Sequence, residues 1–290
     1  MRAVSTATVI AVEWTVLGFC LALILARLYL QLLLQRKRLF LSDYFICLAW
    51  LSGIWGAALD IELKKLGWLN PSTTWLKFES IANRRHLTQK LLFISWFPLL
   101  TTLYLNKMAL LSLFFHLFPS VFRTIYYSLW IVTIYSGLSY FASILFVSLA
   151  CLLSKTQEPN FPFCNAHSYF TFWVATWVLH FSSDVFVFVL PFLILRNLRL
   201  NWKKRIGLCI TFGFGLLSIT ACLLRFLIVL LTYPNVSATT TELLCAIDSY
   251  VGIVVACLPS LRPYLNLKHV TSQHPRPSAD SRKWHFLGTS

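Results

Sequence analysis

The chain runs to 290 residues, 58% hydrophobic and only 12% charged, with 25 Lys and Arg against 10 Asp and Glu. Soluble domains carry roughly 25% charged residues, so this composition excludes a water-soluble globule. It also removes the nucleic-acid partner that a formal net charge of +15 would otherwise suggest: no basic-aromatic pattern is present, and the bases gather at the ends of apolar runs, where they anchor helices and meet anionic lipid.

Seven apolar runs follow one another, over 9–34, 43–63, 91–117, 125–153, 168–196, 206–232 and 242–266. Each is near or above the ~20 residues a helix needs to cross a bilayer core. None alternates with period two, and open sheet edges are forbidden in lipid, so strands are rejected. The sequence predicts an all-α, polytopic membrane protein: a seven-transmembrane helix bundle over 1–266, followed by a basic, Ser- and Pro-containing, disordered tail over 267–290.

Along the first run, Glu13 interrupts the start and Arg2 is the only preceding base, which reads as an uncleaved signal anchor. Arg27, about two turns from the far end, is expected to snorkel. Asp43 opens the second run just after Arg36, Lys37 and Arg38 and reads as a helix-start cap or an interface salt bridge. The 64–90 connector has room for a short surface helix with Trp68, Trp75 and Phe78 at the membrane interface.

Lys107 in the third run and Asp184 in the fifth both fall roughly 24 Å into their helices at ~1.5 Å per residue. At that depth each needs a partner, and the two can serve each other. The pair reads either as a structural joint or as a ligand- or proton-sensitive lock. His180 is one turn before Asp184 on the same helical face. Two ligands do not make a metal site, so an oriented polar pair is expected and no metal. Arg225 in the sixth run and Asp248 in the seventh both lie roughly 10 Å below the same surface, on adjacent antiparallel helices, where a bidentate pair is favourable. A retinal Schiff base on Lys107 is not expected: microbial retinal proteins hold that lysine in the seventh span, where this chain has none. No cofactor is expected.

Between the fourth and fifth runs, Cys151 and Cys164 bracket a connector and are expected to form a disulfide, which would stabilise by about 3 kcal/mol in the loop-entropy account. The remaining six cysteines, Cys20, Cys47, Cys209, Cys222, Cys245 and Cys257, lie in runs as packed thiols. Asn235-Val236-Ser237 is a glycosylation sequon. Pro98, Pro191 and Pro259 lie within runs, where each frees a carbonyl and can kink its helix.

Lys and Arg set orientation. With the N-terminus outside and the C-terminus inside, 14 bases fall inside and 8 outside, the short connectors around Arg36 and Lys203 carrying the bias. Asn235 and the Cys151–Cys164 connector then face outward, where glycosylation and disulfides are permitted.

Several phrases carry a resemblance: Ala26-Arg27-Leu28-Tyr29 with Leu41-Ser42-Asp43-Tyr44; Leu105-Asn106-Lys107-Met108-Ala109-Leu110-Leu111 with Phe118-Pro119; Ser183-Asp184 with Leu190-Pro191 and Leu198-Arg199-Leu200; Lys204-Arg205-Ile206 through Phe212-Gly213-Phe214-Gly215 to Arg225; and Ala256-Cys257-Leu258-Pro259-Ser260-Leu261-Arg262-Pro263. In this order the chain resembles the fungal rhodopsin-domain integral membrane proteins, the satratoxin-cluster membrane protein type and its receptor-like relatives, over about 20–265. The seventh span departs from that pattern in carrying Asp248 where a glutamate is usual. The resemblance implies a seven-helix, receptor-like membrane protein without light sensing, with some members near secondary-metabolite gene clusters.

Three functions are then weighed. A receptor-like protein would bind a small molecule or lipid in an outer cavity, with lipids around it and a cytoplasmic partner at the basic connectors. A transporter or membrane scaffold would serve a secondary-metabolite pathway. An intramembrane enzyme built on His180 and Asp184 lacks an assembled nucleophile or metal set, so no enzyme activity is expected.

Overall fold

The structure, a computed structural model, describes residues 4–34, 39–70, 85–117, 123–157, 166–197, 202–232 and 237–265. Seven helices form where the apolar runs lie: α1 (Thr6–Tyr29), α2 (Leu41–Lys65), α3 (Arg85–Leu117), α4 (Arg123–Gln157), α5 (Ala166–Asn197), α6 (Trp202–Thr232) and α7 (Ala238–Leu265). All seven are long and apolar enough to cross a bilayer, and the chain is a multi-pass membrane protein. The helices exceed the apolar runs at several ends because a helix continues through polar residues once it leaves hydrocarbon. Thus α3 begins at Arg85 and α4 reaches Gln157, six residues past Cys151.

Local chemistry sets the ends that are described. Ser5 caps α1 by accepting from the Thr8 amide at 3.2 Å. The helix then widens into a π-helical turn over Leu30–Leu34. Asp43 accepts from the Phe40 amide at 2.8 Å and so satisfies a donor at the start of α2. At the other end of α2 the Trp68 amide returns to the Leu63 carbonyl at 3.0 Å and the Gly67 amide to Lys64 at 2.9 Å. That is a Schellman stop, and it requires the positive φ of 82° that Gly67 supplies. Trp68, expected at the lipid interface, is instead buried against Val9, Leu63, Leu69 and Ala238. As the residue just beyond the stop, it folds back onto the last turn of α2. Trp75 and Phe78 lie outside the described residues.

Each helix packs on its neighbours in chain order, α7 closes on α1, and α3 crosses the middle to touch both α5 and α7. Burial follows: 61% of the α3 span is covered against 17% of the α6 span. The least apolar span is therefore the central one, because protein rather than lipid surrounds it. Lipid-facing surface is apolar and the interior carries the polar groups. On α4, Ile131, Ile134, Leu138, Phe141 and Leu145 point outward at helical spacing while Ser136, Ser139 and Ser143 are buried. Without a hydrophobic driving force between helices, small side chains and side-chain hydrogen bonds to backbone hold the bundle. Trp50 donates to the Leu17 carbonyl at 3.1 Å, Ser52 to Pro98 at 3.0 Å, and Trp177 to Cys222 at 3.3 Å.

Candidate functional site

Three basic side chains are buried deep inside the described spans, and each meets an aspartate on another helix. Lys107 on α3 lies 3.2 Å from Asp184 Oδ1 on α5. Its ammonium also donates to the His180 carbonyl at 2.7 Å and to Ser183 Oγ, and sits 4.8 Å above the Tyr104 ring. All three N–H donors therefore have acceptors, as a buried ammonium requires. Arg225 on α6 lies 3.3 Å from Asp248 Oδ2 on α7 through Nη2 alone; the pair is not the bidentate one expected, because Nη1 is drawn to Cys245 Sγ at 3.4 Å and Nε has no partner.

Arg27 corrects an expectation. It does not snorkel: it is 1% exposed and turned inward. Its Nε and Nη2 both lie 2.7 Å from Asp43 Oδ1, Nη2 reaches Ser42 Oγ at 3.0 Å, and Nη1 reaches the Ala256 carbonyl on α7 at 2.9 Å. Gln31, in the π-helical turn, donates to the same Asp43 oxygen at 3.3 Å. A guanidinium so placed finds three acceptors in fixed directions, which a flexible escape to the interface would forfeit. Asp43 thus serves as both helix-start acceptor and ion-pair partner.

His180 Nδ1 lies 3.2 Å from Asp184 Oδ2 and 3.4 Å from Cys222 Sγ on α6. Cys222, which the sequence offered only as a packed thiol, makes this a cluster of three metal-type ligands within 4.8 Å of one another. The Lys107 ammonium neutralises Asp184 there through Oδ1, while Oδ2, the oxygen beside His180, has no hydrogen-bond donor. Cys164 and Asn235 lie outside the described residues, as does the side chain of Cys151.

The sequence reading missed a second group. Glu13 on α1, Asp60 on α2 and Glu242 on α7 line one cavity of about 80 Å³, bounded also by α3 and α5, near the end of the bundle that holds the N-terminus. Tyr250 donates to Glu13 Oε1 at 3.1 Å. The Asp60 and Glu13 carboxyls are hydrogen-bonded to one another, so two acid groups meet at the cavity wall. No ion pair reaches any of the three acids among the described residues. A tally of in-span charges would have found them. Arg27, Lys107 and Arg225 use up Asp43, Asp184 and Asp248, Glu62 pairs with Lys65 at the exposed end of α2, and these three acids remain.

α7 meets every layer in turn. Glu242, Cys245 and Ser249 face the acidic cavity. Cys245 and Asp248 hold Arg225, and the Ser249 carbonyl accepts from Asn106 of α3 at 2.9 Å. Val255 borders a smaller crevice of about 40 Å³ beside Lys107 and Asp184, and Ala256 receives Arg27.

The profile of the fungal rhodopsin domain matches residues 26–267 of this sequence. The chain belongs to the fungal rhodopsin-domain family. Among curated proteins it is similar to the "Fugralins biosynthesis cluster protein 2" of Gibberella zeae, 30% identical over 99 residues. That match covers 30% of this chain and 23% of the relative, so the chain spans about a quarter of that protein's length. No solved structure matches. The rhodopsin-domain match takes in all three buried basic residues and their partners, as well as Asp60 and Glu242, but begins after Glu13.

Proposed function

We propose that this fungal rhodopsin-domain protein is receptor-like and senses a small molecule or lipid without retinal. The observation that carries the reading is the cavity between α1, α2, α3, α5 and α7, whose wall residues Cys245 and Ser249 also hold Arg225 and Asn106. A ligand that moves α7 at the cavity bears on the Arg225 pair and, further along the same helix, on the Arg27 joint at the opposite end. A ligand can shift such a bundle only by binding one arrangement better than another, and paired buried charges make two discrete arrangements natural. The basic inner connectors then meet a partner or anionic lipid. Nothing in this reading requires catalysis.

The test compares a deletion strain with strains carrying Arg225→Gln or the Arg225→Gln/Asp248→Asn double change, all matched for protein level. Secreted metabolites and surface responses are profiled in each. The sensing reading expects deletion and the single change to lose the same responses. Unchanged profiles in both would overturn it. A second reading, a transporter or scaffold serving a secondary-metabolite pathway, draws support from the printed name of the Gibberella zeae relative. It expects substrate flux in vesicles or loss of one pathway product. Normal pathway output from a well-expressed His180→Ala/Asp184→Ala chain would exclude an enzyme built on that pair.

A further inference from the structure

One histidine nitrogen stands between two groups that it cannot both serve. His180 Nδ1 lies 3.4 Å from Cys222 Sγ and 3.2 Å from Asp184 Oδ2. In a neutral imidazole that nitrogen either donates a proton or accepts one. If it accepts from the thiol, its lone pair faces the carboxylate oxygen. If it donates to the sulfur, nothing is left for that oxygen. Oδ2 is buried without a hydrogen-bond donor, and Lys107 is spent on Oδ1. A proton on Nδ1 joins two of these three atoms at most, whereas a metal ion accepts lone pairs from all three. The sequence offers only His180 and Asp184; the fold adds Cys222 from α6, so too few ligands is no longer a reason to expect no metal.

The spacings say which ion fits. In tetrahedral zinc sites Zn–S is about 2.3 Å and Zn–N and Zn–O are about 2.0–2.1 Å, so sulfur and nitrogen on one ion stand about 3.6 Å apart and nitrogen and oxygen about 3.3 Å. The observed 3.4 and 3.2 Å come within about 0.2 Å of those edges. All three ligand atoms lie within 4.8 Å of one another. A thiolate, an imidazole and a carboxylate together suit zinc, whereas magnesium and calcium call for oxygen alone. The Tyr104 ring stands edge-on to the imidazole at 6.0 Å and packs it in place. Asp184 lines the crevice of about 40 Å³ between α3, α5, α6 and α7, which has room for a water as fourth ligand.

Zinc brings two positive charges into a layer that already holds Lys107 and Arg225. On binding, Cys222 gives its thiol proton to solvent, and the thiolate and the Asp184 carboxylate together cancel the dication. Lys107 then loses part of its hold on Asp184 and keeps the His180 carbonyl, Ser183 Oγ and the Tyr104 ring face. We propose that His180, Asp184 and Cys222 form a zinc site in which the ion competes with Lys107 for one carboxylate. The site stands apart from the cavity of the sensing reading and does not depend on it.

The test uses the purified full chain in nanodiscs under a phosphine reductant, with Co²⁺ as a spectroscopic stand-in for zinc. The wild type is expected to show the intense visible bands of tetrahedral cobalt and a near-ultraviolet thiolate-to-cobalt band. Stoichiometric Zn²⁺ should remove both, and excess Mg²⁺ or Ca²⁺ neither. Cys222→Ser is expected to lose the thiolate band and to weaken Co²⁺ about tenfold or more. Cys47→Ser, which changes a free cysteine of α2, should keep the spectrum. If Cys222→Ser does not fold, His180→Gln reads the same loss of affinity. Lys107→Met, or Lys107→Gln if the first does not fold, removes the competitor and should bind Co²⁺ more tightly than the wild type. A hydrogen-bonded cluster without a metal role gives no tetrahedral cobalt spectrum in the wild type. That result, an identical spectrum in Cys222→Ser, displacement by Mg²⁺, or weaker binding in the Lys107 variant would each overturn the proposal.

Discussion

A lone charge in a low-dielectric interior is far costlier than a matched pair, and the buried basic side chains here obey that difference. Removing one partner of a buried pair typically costs about 3–5 kcal/mol, whereas replacing both by apolar or neutral groups is often tolerated. Lys107→Met and Asp184→Asn are therefore each expected to lower the melting temperature of the purified protein more than the double change does. A double variant worse than both singles would contradict the pairing. Arg27 carries a sharper expectation. It uses Nε, Nη1 and Nη2 on Asp43, Ala256 and Ser42, and a lysine has a single nitrogen to offer. Arg27→Lys keeps the charge yet should destabilise by about 1–3 kcal/mol, read by thermal unfolding.

Between elements, α3 approaches α7 closely at Gly252. A Cβ at Gly252 would lie 2.5 Å from Asn106 Nδ2, and that nitrogen is fixed by its bond to the Ser249 carbonyl. Gly252→Ala is expected to cost about 1–3 kcal/mol through overpacking. Asn106→Ala removes the obstructing atom, so in that background the same glycine change should cost much less; equal costs in both backgrounds would place the strain elsewhere. The close approach explains how α7 can report on the cavity and on the central helix at once. It also shows why the periodicity of α3 is weak as a signal: a helix surrounded on most sides has no single apolar face.

For the whole molecule, the Lys and Arg bias predicts an N-terminus outside, which puts the acidic cavity on the outer side and the Arg27 joint near the inner one. Peptide-N-glycosidase should then shift the mobility of the membrane-expressed chain through Asn235. An impermeant maleimide should label the Ser278→Cys variant above the wild-type background only after the membrane is opened. Added labelling of that variant on intact cells would reverse the orientation and with it the side from which a ligand reaches Glu13.

The seven spans were legible because hydrocarbon thickness imposes a length and an apolar composition that any sequence must display. Depth counting along helices also matches Lys107 with Asp184 and Arg225 with Asp248, since a helix converts residue number directly into height; in the bundle they lie 3.2 and 3.3 Å apart. Height is one coordinate of three. The inward turn of Arg27, the burial of Trp68, the approach of Cys222 to His180 and the meeting of Glu13, Asp60 and Glu242 all depend on how each helix is rotated and which helices adjoin. Those are set by side-chain packing between segments far apart in the chain, so only the folded bundle decides them.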